Sequence, residues 1–207
     1  MLNLLFICPA HVAPETLFHG FTGRPDGAYP SWLIMNKGIL YGTTLKGGES
    51  GYGTVFELDR SGILTVLYRF KGLDGVYLSW LIMDDSVLYG TTLNGGFFNK
   101  GTLFALDKSG NLTSIYSFKG PPEGATPSGL IMDKDIFYGI TIDGGFSNKG
   151  TVFKLDKKGT MKVLYSFKVL DGACPTGLII NNGILYGITE HGWHHRTRRN
   201  FRLWHGV

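Results

Sequence analysis

The chain has 207 residues, 43% of them apolar and 31 of them glycine, about twice the usual glycine share of roughly 7%. With proline near its normal share, that balance excludes a disordered polymer and a collagen-like chain, and two cysteines, Cys8 and Cys174, cannot build a disulfide framework. The formal charge of +4 is local: Arg196, Arg198, Arg199 and Arg202 stand in the last dozen residues, and the 16 basic groups left balance the 16 acidic ones, which excludes the basic stripe of a nucleic-acid-binding face.

Residues 1–14 open on an apolar run, Met1–Cys8, that is about half of the 18 or so residues a membrane span requires. No membrane span is expected there. Ala10 and Ala13 suit the cleavage site of an export signal, but the positive n-region is missing and Pro14 follows the best cut. A degraded signal peptide and a plain first strand both fit.

Residues 15–192 repeat. Tyr41-Gly42, Tyr89-Gly90, Tyr138-Gly139 and Tyr186-Gly187 recur at steps of 48, 49 and 48 residues. Three copies continue in register as Gly53-Thr-Val-Phe56, Gly101-Thr-Leu-Phe104 and Gly150-Thr-Val-Phe153, then as Leu67-Tyr-Arg-Phe70, Ile115-Tyr-Ser-Phe118 and Leu164-Tyr-Ser-Phe167. A fixed period of this length means one supersecondary unit stacked or set in a circle. Upstream of the first full unit, Thr16–Phe21 reads as the last strand of an earlier one, since Phe21 stands 49 residues before Phe70.

Each unit divides into four short apolar runs, A to D, as in Ser79–Met83, Val87–Thr92, Thr102–Asp107 and Leu112–Phe118, with no helical period between them. The C–D connections Asp59-Arg-Ser-Gly62, Asp107-Lys-Ser-Gly110 and Asp156-Lys-Lys-Gly159 predict hairpins in which aspartate caps the turn and glycine takes positive φ. The expected fold is therefore all-β: a β-propeller of about four blades, each a four-stranded antiparallel sheet, closed by the N-terminal strand completing the last blade. Up-and-down strands send the A–B and C–D turns to one end, and the glycine loops 47–53, 95–101 and 144–150 to the other, with the turns Asp26-Gly27, Asp74-Gly75 and Asp171-Gly172.

Residues 193–207 lose the pattern. Trp193–Asn200 replaces the expected glycine loop, although Phe201 keeps the offset of Phe56, Phe104 and Phe153 from their tyrosines and Leu203 that of Leu58, Leu106 and Leu155. A degenerate strand C and a frameshift or truncation near codon 192 of a longer gene both account for this. The second reading makes the chain a fragment of a larger repeat protein without activity of its own.

At the Tyr-Gly-Thr-Thr, Gly-Gly and Gly-Thr-Val-Phe blocks, from about Thr16 to Gly192, the chain resembles the bacterial tandem-repeat proteins known as GloVer-repeat, or choice-of-anchor tandem repeat, proteins. The resemblance implies propeller-type repeats and export to the cell surface or medium. It supplies no catalytic or ligand residues.

Candidate sites are few. His191, His194, His195 and His205 fit no standard zinc spacing, and the turn aspartates form no Asp-x-Asp-x-Asp loop, so neither metal nor cofactor is expected. The glycine loops lack the Lys-Ser/Thr and the helix of a phosphate-binding loop. No histidine lies between His19 and His191 to serve a nucleophile, so no enzyme is expected; a polysaccharide-acting enzyme using loop carboxylates is the alternative. Tyr52, Phe97, Phe98 and Phe146 sit in loops where the turn needs no apolar bulk, and either fold back over the blades or anchor a partner. Trp32 and Trp80 begin strand A where the later units have Gly129 and Gly177, which makes one side of a channel mouth bulky and the other open, or else fills the core. The expected function is a non-catalytic scaffold whose loops meet a protein or glycan.

Overall fold

The computed structural model describes residues 3–7, 16–168, 172–191 and 202–205, with side chains over 18–168 and 172–191. Strands β1 (Asn3–Ile7) and β2 (Thr16–Phe21) form a two-stranded sheet. The first full sheet is β3 (Ala28–Asn36), β4 (Ile39–Lys46), β5 (Thr54–Leu58) and β6 (Leu64–Arg69). The second is β7 (Val76–Asp84), β8 (Val87–Asn94), β9 (Thr102–Leu106) and β10 (Leu112–Ser117), and the third β11 (Ala125–Asp133), β12 (Ile136–Asp143), β13 (Thr151–Asp156) and β14 (Met161–Ser166). A three-stranded sheet ends the array: β15 (Ala173–Asn181), β16 (Ile184–His191) and β17 (Arg202–His205). Every pairing is antiparallel and, among the described residues, there is no helix. The fold is that of a β-propeller, with the first strands β3, β7, β11 and β15 packed in succession along the inside.

The turns follow from their residues. The A–B hairpin Asn36-Lys37-Gly38-Ile39 puts Lys37 at φ 49° and Gly38 at φ 80°, the two positive-φ central residues of a type I′ turn. At the C–D turn the amides of Ser61 and Ile63 donate to Asp59 Oδ1 at 2.8 and 3.0 Å, and Gly62 takes φ 85°. The expected aspartate cap and glycine are both in place.

The apolar core lies between the sheets, not within them. At the first junction Ile34, Ile39, Tyr41, Val55 and Phe70 of one sheet meet Leu78, Leu81, Leu88 and Phe104 of the next. Equivalent residues repeat the packing at the second junction, and the inner part of it at the third. An edge-to-face aromatic pair marks the start of each full sheet: Phe21–Phe56 at 5.1 Å, Phe70–Phe104 at 5.3 Å and Phe118–Phe153 at 5.1 Å. Such a pair adds about 0.5–1.5 kcal/mol to the burial of the rings.

The Tyr-Gly motif belongs to this packing. Gly42 pairs with Phe56 across β4 and β5, and the tip of the phenylalanine ring fills the space beside the glycine, so that a Cβ there would stand 2.3 Å from Phe56 Cζ. The threonine motifs are a buried clasp: Thr92 Oγ1 lies 2.9 Å from Thr102 Oγ1 and accepts the Thr102 amide at 3.1 Å, while Thr102 Oγ1 reaches Asp74 O at 3.3 Å. Modules one and three repeat the threonine pair.

Three expectations are corrected. Strand A runs Val76–Asp84 rather than Ser79–Met83, because a bulge between Leu78 and Trp80 interrupts the alternation that marks a strand in sequence. The N-terminal strand does not complete the last sheet: β2 pairs with β1, and β17 takes the third place beside β16. Leu203 pairs with Ile188, and Trp204 stands opposite Gly187 where Phe153 stands opposite Gly139. The register has thus slipped by three residues from the one that Leu203 and Phe201 implied. Arg202 opposes Thr189 in place of the clasp threonine. Cys8, the cleavage region, Asp171, His194, His195 and Phe201 lie outside the described residues.

Candidate binding face

The B–C and D–A loops share one end of the array, and the B–C loops are rigidly built. In the second module the Gly95 amide donates to Asn99 Oδ1 at 3.0 Å, the Gly101 amide to Gly95 O at 3.1 Å and the Phe97 amide to Ser117 Oγ at 2.9 Å. The third module repeats all three bonds through Gly144, Gly150 and Phe146. These bonds hold the loop backbone, and the Phe97 and Phe146 side chains lie outside. Phe97 and Phe146 are 86% and 85% exposed, and Phe97 meets Phe98 edge to face at 5.0 Å.

The D–A loops are held by the outer strand. Tyr68 Oη donates to Asp74 Oδ2 at 2.7 Å, and the Lys71 amide donates to Asp74 Oδ1 at 2.8 Å. Burial, reinforced by that carboxylate, pushes the Tyr68 hydroxyl up to about 12, so it remains a donor at neutral pH. Tyr116 serves Glu123 likewise, and in the first repeat position His19 takes the tyrosine's place, 3.0 Å from Asp26.

Where each D–A loop enters strand A, a residue other than glycine adopts positive φ: Tyr29 at 56°, Tyr77 at 59°, Thr126 at 58° and Cys174 at 53°. The conformation costs of order 1–3 kcal/mol for a side chain of this kind. Part of the compensation is visible, since the Thr126 amide donates to Lys100 O at 3.0 Å and the Cys174 amide to Lys149 O at 3.1 Å, each in the B–C loop of the preceding module. The four inner strands thus carry one protruding position each at the loop-bearing end, filled by tyrosine, tyrosine, threonine and cysteine. Burial pushes the Cys174 thiol up, which makes it a poor nucleophile.

Between the first two B–C loops lies a groove of about 620 Å³. Tyr52, Tyr77, Phe97 and Leu73 form its apolar lining, and Lys71, Asn94 and Asn99 supply polar groups. Tyr52 leans over the D–A loop, 3.1 Å from the place a Cβ on Gly72 would occupy. Of the aromatic residues singled out in the sequence, Tyr52 and Phe97 come together here. Phe98 and Phe146 are outside the groove, 43% and 85% exposed.

Trp32 and Trp80 are not at this end. They lie in the middle of β3 and β7, stacked with ring centroids 3.7 Å apart, and Trp32 Nε1 donates to Leu81 O at 3.0 Å across the module junction. Nor do the glycines that replace them leave the other side open. Ile140 and Ile188 stand where modules one and two have Thr43 and Thr91, and a Cβ on Gly129 would meet Ile140 Cγ1 at 2.8 Å. Tyr29, Tyr77 and Leu73 escaped the sequence reading, although the spacing of 48 residues between Tyr29 and Tyr77 carried the signal.

The opposite end carries turn carboxylates, and Asp59, Asp107, Asp156, Asp84 and Asp135 among them have partners. A Ser61 hydroxyl bond, then backbone amides, hold Asp59 below the usual carboxylate range; an Asn111 side-chain bond does so for Asp107 and the Thr160 amide for Asp156. Lys157 bridges Asp84 at 3.0 Å and Asp135 at 2.6 Å. Among the described residues no three His, Cys, Asp or Glu side chains gather as metal ligands, and no helix is long and apolar enough to cross a membrane.

The sequence model of the Gloeobacter/Verrucomicrobia repeat matches residues 7–201. No curated protein matches the chain. Among solved structures, a computationally designed protein superposes with a TM-score of 0.54 at 17% identity, over 86% of this chain and 91% of that one. The protein YjhT gives 0.54 at 14% identity, over 85% of this chain and 63% of its own. A puromycin-hydrolyzing peptidase of Mycobacterium tuberculosis gives 0.50 at 12% identity, and this chain spans 89% of itself but 29% of the peptidase. At such identities the likeness is one of fold.

Proposed function

This chain belongs to the Gloeobacter/Verrucomicrobia repeat family, and from that premise we propose that it is a non-catalytic, exported scaffold whose loop-bearing end binds a glycan. The groove at the first junction carries the reading. Tyr52, Tyr77 and Phe97 offer flat apolar faces to the C–H faces of a sugar ring, while the side-chain amides of Asn94 and Asn99 and the ammonium of Lys71 are donors for its hydroxyls. Held loops and a strained, protruding Tyr77 supply the preorganisation that a shallow site needs. The carboxylates Asp59, Asp107 and Asp156 at the other end cap their turns, and Asp74 and Glu123 at the loop-bearing end accept hydrogen bonds from Tyr68 and Tyr116, which supports a binding role over a hydrolytic one. A protein partner is the second reading, favoured by Leu73 and Phe97, each 86% exposed.

A glycan array followed by calorimetry on the best hit tests the proposal. Tyr77→Ala and Phe97→Ala should each weaken binding by about tenfold or more, the loss of one aromatic anchor. Binding that ignores both substitutions, or its absence across the array, would remove the glycan reading, and retention of a protein partner lost on Phe97→Ala would install the second.

A further inference from the structure

At every internal junction the same positions are covered by the next module. Leu81, Leu130 and Leu178 of the second, third and fourth modules are 0%, 0% and 7% exposed, each packed against the module before it. Leu33, the same position in the first module, is 42% exposed, and its strand neighbour Met35 is 69% exposed. On the other side of the junction Ile34, Ile82 and Ile131 pack against the module that follows, whereas Ile179 of the last module is 64% exposed and Ile184 44%. An apolar depression of about 170 Å³ lies beside Ile179, between Leu178, Tyr186 and Ile188.

The two ends of the array therefore expose the two halves of one junction. At the first module the exposed half is the inner one, Leu33 and Met35, whereas Phe56 of β5 is met by Phe21 of β2. At the last module β15 and β16 are the inner strands. The inner strands pack in the order β3, β7, β11, β15, and β15 does not pack on β3 as the internal neighbours pack on one another. Among the described residues, Leu33 and Met35 at one end and Ile179 and Ile184 at the other stay exposed.

We infer that the open face of β15 and β16 docks on the open face of β3 in a second copy of this chain, head to tail, repeating the internal junction between molecules. The first internal junction sets the partner's chemistry: Ile34, Ile39 and Tyr41 meet Leu81 and Met83 of the next module. A contact of this kind is heterologous and leaves one unused half at each outer end, so assembly does not stop at two. This inference does not rest on the glycan reading, because the faces involved are the ends of the array and not its loops.

Sedimentation velocity over the micromolar range, on wild type, Met35→Asp and Ile179→Asp, tests it. Both positions are more than half exposed in the single chain, so the carboxylates leave each monomer folded, as far-UV circular dichroism would verify. Wild type should show mass rising with concentration beyond the dimer, and each variant alone should be a monomer. Mixed in equal amounts, the variants should form a dimer and nothing larger, because one intact half survives on each. A monomeric wild type, as closure of the chain on itself would give, overturns the inference. So does a mixture that stays monomeric, or a single variant that still dimerises.

Discussion

Alanine at Gly42 should destabilise the protein, and leucine at Phe56 should remove most of that penalty. A Cβ on Gly42 would stand 2.3 Å from Cζ of Phe56 and 2.9 Å from both Cε atoms, and no other atoms are as near. Carbon pairs settle at about 3.5–4.0 Å, so the ring has to retreat by more than about 1 Å into a core where Phe56 is 1% exposed. Overpacking of this sort costs about 1–3 kcal/mol, offset by about 0.5–1 kcal/mol because alanine suits a strand interior better than glycine. Phe56→Leu alone gives up part of the 3–5 kcal/mol of a full phenylalanine truncation, about 1–2 kcal/mol. The double variant should then be no less stable than Phe56→Leu by itself, a coupling of about 1–2 kcal/mol. Equilibrium urea unfolding followed by circular dichroism reads all four proteins, provided the transitions stay cooperative. Costs that simply add, to within about 0.5 kcal/mol, would refute the claim that the tyrosine-glycine motif exists to seat the ring.

Thr92→Val keeps the shape of the clasp and removes its oxygen, stranding the Thr102 amide; a loss of about 1–3 kcal/mol is expected, with faster hydrogen exchange at that amide. Acid should weaken the fold through the C–D turns. The Asp59, Asp107 and Asp156 carboxyls lie lower folded than the unfolded value of about 3.9, so their contribution is complete at neutral pH and is lost as pH falls below about 4 through the folded values. Replacing all three by asparagine should flatten the fall of the urea midpoint between neutral pH and pH 3, and an unchanged slope would contradict this.

Much of the architecture is written in the period. Tyr41, Phe56 and Phe70 recur because each junction needs the same ring, seat and neighbour, and a motif that recurs can be read without coordinates. Strand A was legible only in its second half, since the left-handed Tyr77 and the bulge after Leu78 break the alternation while Asp74-Gly75 imitates a simple turn. Tyr52 and Phe97 were legible as unneeded bulk in loops. Their meeting was not, because the groove takes Tyr52 from one module and Phe97 from the next, and nothing within a single period states that the two loops are neighbours. Of the two readings open for the tryptophans, filling the core is the one their stacking supports. Gly129 looked like empty space until Ile140, which stands on a different strand, filled it.

The bond from the Thr126 amide to the Lys100 carbonyl uses main-chain atoms alone, as does the one from Cys174 to Lys149. At the second and third junctions this bond therefore survives whatever residues the gene supplies at those two sites. What changes when a module is duplicated is the set of side chains facing each other across the seam. Duplicating a period that carries this bond would keep the bond and yield a new recognition surface at the fresh adjacency, with no codon altered.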